Sequence, residues 1–307
     1  MATSTPTPTL VSSVPELESF LSSIPPVCTL YLDLEGKNLS RHGTISLITV
    51  LINPERVVRL IDVLALGEAT FTTASKHGKT LKSILEDPII SKFAWDVRND
   101  ADALWALYHV GLAGITDIQL LENATRTGDK TYVRGLDKCV QFDLKLGFMA
   151  LHRWIQTKKE VQSLMATDVF ANRPINAKIL QYCVNDVVHL PDLHTVYLNR
   201  VKGNWLAKTL EESARRVAEA HSPGYEPQSP TKKLGPWGSG TGNRVVTTDE
   251  MFEILEQQRE DNLARDIFGD DDSVGCFDDD YDWDDRINAA DAAFDPEALE
   301  SCWDKSG

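Results

Sequence analysis

An α/β domain with a central mixed sheet flanked by helices is predicted by the order of the hydrophobic patterns. Three strand-like runs come first, at Cys28–Glu35, Thr44–Ile52 and Arg56–Val63. Short strands then alternate with amphipathic helices, and helices alone continue to about Glu219. A meander followed by such alternation gives a sheet with antiparallel and parallel neighbours, in an α/β or α+β arrangement.

Residues 1–14 are rich in Ser, Thr and Pro and read as a disordered lead, followed by a helix over Glu16–Ser22. In the first strand Cys28, Leu30, Leu32 and Leu34 share one face, and Thr29, Tyr31, Asp33 and Glu35 share the other. The second, TISLITVLI, is apolar on both faces, the mark of a strand covered on both sides. A helix over Thr80–Glu86 and a strand over Ile89–Trp95 follow. Helix Asp100–Val110 carries Ala101, Leu104, Trp105 and Tyr108 as one stripe. Gly114–Glu122 reads as a strand running into a helix. The domain is drawn as residues 15–221, with a Pro/Gly linker over 222–246, an amphipathic helix over 247–269 and an acidic disordered tail over 270–307.

Charge is concentrated in that tail. The chain has 46 acids and 31 bases, and 14 of the acids, with Arg286 as the one base, lie between Asp270 and Asp304. That leaves 32 acids against 30 bases, a nearly neutral body. The five cysteines show no C-x-x-C spacing, and no hydrophobic signal segment leads the sequence. Both point to a reducing compartment, nucleus or cytoplasm. No apolar run is long enough to span a membrane.

Three carboxylate clusters stand out. Asp33 and Glu35 share a face of a strand, where acids are disfavoured and two like charges repel. DVRNDADAL offers Asp96, Asp100 and Asp102, with Asp100 at the start of a helix, where an acid serves as N-cap. In QYCVND, Tyr182 and Asp186 stand four apart on a helix and share its face. Taken singly, these are a cap, a core aromatic and a solvated acid. Together at the end of a sheet they suit Mg²⁺ or Mn²⁺, which take carboxylate oxygens. Two such ions about 3.5–4 Å apart clamp the attacking and leaving oxygens of a phosphoryl displacement. Residue types and spacing alone lead to a divalent-metal phosphoryl-transfer site.

These motifs resemble the DEDD 3′→5′ exonuclease superfamily, the ribonuclease D-like group with a ribonuclease H-like fold. LDLEG matches the first motif, KFAWDVRNDADAL the second, and QYCVND the third in the Tyr-x-x-x-Asp form of the DEDDy branch. The likeness covers roughly Val27 to Val201 and is greatest to the Egalitarian and exonuclease 3′-5′ domain-containing proteins. It implies two Mg²⁺ or Mn²⁺ ions held by Asp33, Glu35, Asp100 and Asp186, with Tyr182 orienting the attacking water. It also implies release of 5′-nucleoside monophosphates from a 3′ end. Asp96 and Asp102 compete with Asp100 for the second-motif role. Trp95 stands where many ribonuclease D-like relatives carry His. The text after the match reads as linker and acidic tail, not as the helical nucleic-acid-binding domain of ribonuclease D.

For substrate grip, Arg41, Arg134 and Arg173 lie within family-like text and rank first as phosphate contacts; Lys158 is among the further bases. Leu39 and His42 are candidates for stacking on terminal bases. The acidic–aromatic tail, CFDDDYDWDD, is a candidate for binding a basic protein partner or covering the groove. SKHGKT fails as a phosphate loop because position 73 is Thr where Gly is needed. The function expected is metal-dependent 3′→5′ hydrolysis of single-stranded nucleic acid, RNA favoured over DNA. The rival is a non-catalytic RNA-binding adaptor recruited through the tail.

Overall fold

The computed structural model describes residues 9–165 and 167–238. Its sheet is built from β1 (Thr9–Val11), β2 (Thr29–Glu35), β3 (Leu47–Asn53), β4 (Val57–Asp62), β5 (Lys92–Ala94) and β6 (Ile115–Asp117). The strand order is β1-β4-β3-β2-β5-β6. β2, β3 and β4 are antiparallel neighbours, whereas β1 joins β4, and β5 joins β2 and β6, in parallel. The predicted mixed sheet is therefore present.

The helices are α1 (Val14–Ser23), α2 (Val63–Leu66), α3 (Ala69–Thr72), α4 (Leu81–Glu86), α5 (Arg98–Tyr108) and α6 (Ile118–Thr125). They are followed by α7 (Leu136–Asp143), α8 (Phe148–Gln162), α9 (Ala177–Val188), α10 (Leu190–Arg200) and α11 (Trp205–Ala220). No helix among the described residues is long and apolar enough to cross a membrane.

The period of two in β2 separates two cores. Leu30, Leu32 and Leu34 join Ile48, Val50 and Ile52 with α1, α4 and α5 on one side. Tyr31 joins Leu47, Leu51 and Leu60 with α8, α9 and α10 on the other. Each fully buried leucine contributes about 1.5–3 kcal/mol of transfer free energy. The second core is covered by α9, which packs on β2 and β3. Asp33 and Glu35 thus emerge on the face that α9 covers, at the carboxyl end of β2. That strand is where antiparallel pairing gives way to parallel pairing, a position where open sheets form clefts.

Two boundaries change. The lead read as disordered contains β1, in register with β4 through Thr9↔Arg59, Leu10↔Leu60 and Val11↔Ile61. Without β1 the backbone edge of β4 would be open, and Val11 enters the core beneath it. The first part of the linker is folded: residues 222–238 lie on the domain, with Tyr225 buried and a 3₁₀ turn over Pro230–Lys233. The amphipathic helix and the acidic tail lie outside the described residues.

Candidate active site

The three motifs converge because of this topology. β2 delivers Asp33 and Glu35, α9 delivers Tyr182 and Asp186 above them, and the chain leaving β5 beside β2 delivers Asp100 in the first turn of α5. One carboxylate oxygen from each of Asp33, Glu35 and Asp186 lies within 4.8 Å of the other two. Asp100 and Asp186 are each 8% exposed, and Asp33 and Glu35 are half-buried.

Burial and mutual repulsion dominate the electrostatics. Desolvation, followed by the charge of Asp186, holds the Asp33 carboxyl well above the usual carboxylate range. Glu35 is raised by burial and then by Asp33, Asp186 and Asp100, and Asp100 by burial and then by Asp33 and Asp96. Asp186 is pushed up to about 6 by burial, opposed by Lys158 and by the hydroxyl of Tyr182. Burial, reinforced by Asp186, Glu35 and Asp33, raises the Tyr182 phenol far enough that it stays protonated.

The residues present fit divalent cations. Asp33 Oδ2 is buried with no hydrogen-bond partner, a costly arrangement for an acceptor unless a cation or water satisfies it. The donor set is entirely carboxylate oxygen, which hard cations prefer. Lys158, its ammonium 5.4 Å from the centre of the Trp154 ring, also favours the ionised forms of Asp33 and Asp186.

The structure separates Asp100 from its two competitors. Asp102 is fully buried and accepts from the backbone N and Nε of Arg41, both at 2.7 Å. Asp96, at φ 58°, accepts from Nε and an η nitrogen of Arg98 at 2.6 and 2.7 Å. Asp100 alone of the three is coupled to the cluster: its charge raises Glu35, and the charge of Asp33 raises it. It is not the helix cap: Val97 occupies that position, and Asp100 is the third residue of α5.

The expected phosphate contacts fare differently. Arg41 is committed to Asp102 and to the carbonyls of Ala220, Ser222 and Pro223. Arg173 donates two hydrogen bonds of 2.6 Å to Asp62, a buried carboxylate, and others to the carbonyls of Phe170 and Asn172. Both are structural ties, since a buried carboxylate needs its counter-charge more than a surface does. Arg134 lies 3.6 Å from Glu122 and is half exposed. Leu39 packs on the first core, and His42 is exposed. A cleft of about 340 Å³ opens beside Glu35, lined by Lys37, Asn38, Met165, Asp168 and Phe170 among others.

Sequence reasoning missed what holds the second motif in place. The carboxylate of Asp117, at the end of β6, accepts from the backbone N of Asp96 (3.0 Å) and Val97 (3.2 Å), and from Arg216 (2.6 Å). Asp117 N donates in turn to Ser213 Oγ. Asp117, Ser213 and Arg216 come from β6 and α11, far apart in sequence. The local signal for Asp117 is an N-cap, and it does fill that role for α6.

The chain belongs to the 3′-5′ exonuclease family, whose model matches residues 8–201. Trypanosoma brucei RNase D in complex with RNA U12 is similar, with 21% identity over 80% of this chain and 78% of that one, at a TM-score of 0.56. The RNase D–GMP complex from the same organism gives 20% identity, 81% and 79% coverage, and a TM-score of 0.61. The catalytic core of Trypanosoma brucei RRP6 gives 19%, 69% and 52%, at 0.53. At these identities the likeness is one of fold, the ribonuclease H-like arrangement of RNase D-like exonucleases. Among curated proteins no sequence matches the chain.

Proposed function

We propose that this exonuclease removes 5′-nucleoside monophosphates from the 3′ end of single-stranded RNA, using two Mg²⁺ or Mn²⁺ ions. The observation that carries the reading is the all-carboxylate cluster of half-buried Asp33 and Glu35 with buried Asp186, with Asp100 coupled to it and Asp33 Oδ2 unpartnered. These four side chains would hold the ions, which when bound neutralise the cluster and lower the pKa of the attacking water.

The remaining work falls to the protein. Tyr182 keeps its proton and presents its hydroxyl beside Asp186, where it would orient water toward the scissile phosphorus. Lys158 brings a positive charge to the same side of the cluster and would meet the phosphate. The cleft beside Glu35 has room for part of the terminal nucleotide. The preference for RNA is supported by two neighbours of like fold, one solved with RNA U12 and one with GMP.

Sugar preference and product are tested together. Matched single-stranded RNA, DNA, and RNA ending in one 3′-deoxynucleotide are digested, and the products are resolved by chromatography. Faster loss of RNA with 5′-monophosphate products is expected. Equal rates on DNA would overturn the RNA preference, and 3′-monophosphate products would overturn the proposed chemistry.

A further inference from the structure

The segment 222–238 runs back across the second carboxylate motif as a strap. It is tied at its start by Arg41, whose guanidinium donates to the carbonyls of Ala220, Ser222 and Pro223 at 2.9, 2.8 and 3.2 Å. The same guanidinium carbon lies 5.7 Å from the centre of the Tyr225 ring. The far end pairs with the loop after α6, through Val133 N to the Lys233 carbonyl (3.0 Å) and Gly235 N to the Thr131 carbonyl (2.7 Å).

Between these ends the strap grips one side chain. Asn99 Oδ1 accepts from the Tyr225 hydroxyl at 2.8 Å and from Lys232 Nζ at 2.6 Å. The Lys232 ammonium also donates to the carbonyl of Pro227 at 3.2 Å. Arg98 closes the loop by donating to the Lys232 carbonyl at 2.8 Å. Asn99 immediately precedes Asp100 in the first turn of α5. Asp117 holds the backbone that leads into that turn, at Asp96 and Val97, from the sheet side; Tyr225 and Lys232 hold Asn99 from outside. A charge-assisted hydrogen bond is roughly twice as strong as a neutral one, which makes Lys232 the stronger of the two outer holds.

The family match ends at residue 201, before the strap begins. We infer that the strap is part of the catalytic unit and that Lys232 is a positioning residue, which acts through Asn99 to hold Asp100 toward Asp33, Glu35 and Asp186. The inference rests on the metal-site reading above.

The test uses the full chain and two readouts, Mn²⁺ affinity by calorimetry and single-turnover kinetics on a single-stranded oligonucleotide. Lys232→Met is expected to weaken Mn²⁺ binding by about ten-fold, in the range seen when groups that orient a ligand are lost. The rate constant should fall in parallel, while KM for the oligonucleotide stays nearly constant. Lys232→Arg should restore most of both, and Tyr225→Phe should cause a smaller loss of the same kind. Asn99→Ala, which removes the partner of both Tyr225 and Lys232, should lose at least as much as Lys232→Met, and adding Lys232→Met to it should cause no further loss, because that hold is already gone.

A folded Lys232→Met protein with wild-type Mn²⁺ affinity would overturn the proposal. So would a loss confined to KM, which would make Lys232 a substrate contact. Should Lys232→Met fail to fold, Tyr225→Phe, which removes one hydroxyl, decides by the same readouts. A wild type that binds no Mn²⁺ would instead remove the metal-site reading itself, and the strap proposal with it.

Discussion

Arg41 closes on Asp102 with two hydrogen bonds of 2.7 Å, joining the loop after β2 to the buried face of α5. Asp102 is fully buried and Arg41 is 17% exposed, so the pair belongs to the interior. Arg41→Ala would leave an unpaired buried carboxylate, a change that typically costs about 3–5 kcal/mol. Chemical denaturation should show a loss of that size, with substrate KM changed little in whatever fraction stays folded. A stable variant with a greatly raised KM would return Arg41 to the role of phosphate contact.

The pH dependence follows from the crowded carboxylates. Burial pushes the Asp186 carboxyl up to about 6 in the folded protein, against an ordinary value of 3.8. A folded carboxyl raised in this way binds more protons than the unfolded one, so stability falls as pH rises through that window. Relative to Asp186→Asn, the metal-free wild type should therefore lose melting temperature between about pH 4 and pH 6. Added Mg²⁺ should reverse the trend, raising the melting temperature more at neutral pH than at about pH 5, because binding displaces protons. A Mg²⁺ effect independent of pH would contradict this.

Relief of repulsion should be measurable directly. Asp33→Asn removes one charge from the cluster and should raise the melting temperature of the metal-free protein by about 2–4 °C, the shift that about 1 kcal/mol produces in a domain of this size. It should abolish activity at the same time. Destabilisation instead would mean that the Asp33 carboxylate is already well satisfied.

Tyr182→Phe keeps the ring that packs in the second core and removes only the hydroxyl beside Asp186. The expected result is a fall in kcat of about 10²-fold, the scale of a lost positioned proton-handling group. Mn²⁺ affinity should change little. An equal loss of metal affinity would assign the hydroxyl to holding Asp186 rather than to orienting water.

Gly235 sits where the strap touches the loop after α6. A Cβ there would lie 2.2 Å from the Lys130 carbonyl oxygen, so Gly235→Ala must lift the strap. Limited proteolysis should then cut within 222–238 sooner than in wild type. Unchanged protection would show that the strap is held elsewhere.

What was legible in the sequence was local. The alternation in LYLDLEG placed Asp33 and Glu35 opposite Leu30, Leu32 and Leu34, and the two cores follow that division. The i, i+4 spacing put Tyr182 and Asp186 on one face of α9. The rest depended on partners distant in sequence. Asp96, Asp100 and Asp102 look alike until Arg98 claims the first and Arg41 the last. Arg173 reads as a surface base because Asp62, its partner, lies 111 residues away. The strap looked like a linker because Pro, Gly and Ser describe any irregular segment, whether packed or free. Its contacts come from Tyr225 and Lys232, two residues that composition does not single out.

The most direct measurement is degradation of 3′- and 5′-end-labelled single-stranded RNA in Mg²⁺, Mn²⁺ and EDTA, with Asp33→Ala/Glu35→Ala alongside. The expected result is a ladder that shortens from the 3′ end in either metal, and none in EDTA or with the double variant. Degradation that persists in EDTA, or no degradation by the folded wild type in either metal, would contradict it; retained RNA binding in the second case would favour a non-catalytic adaptor.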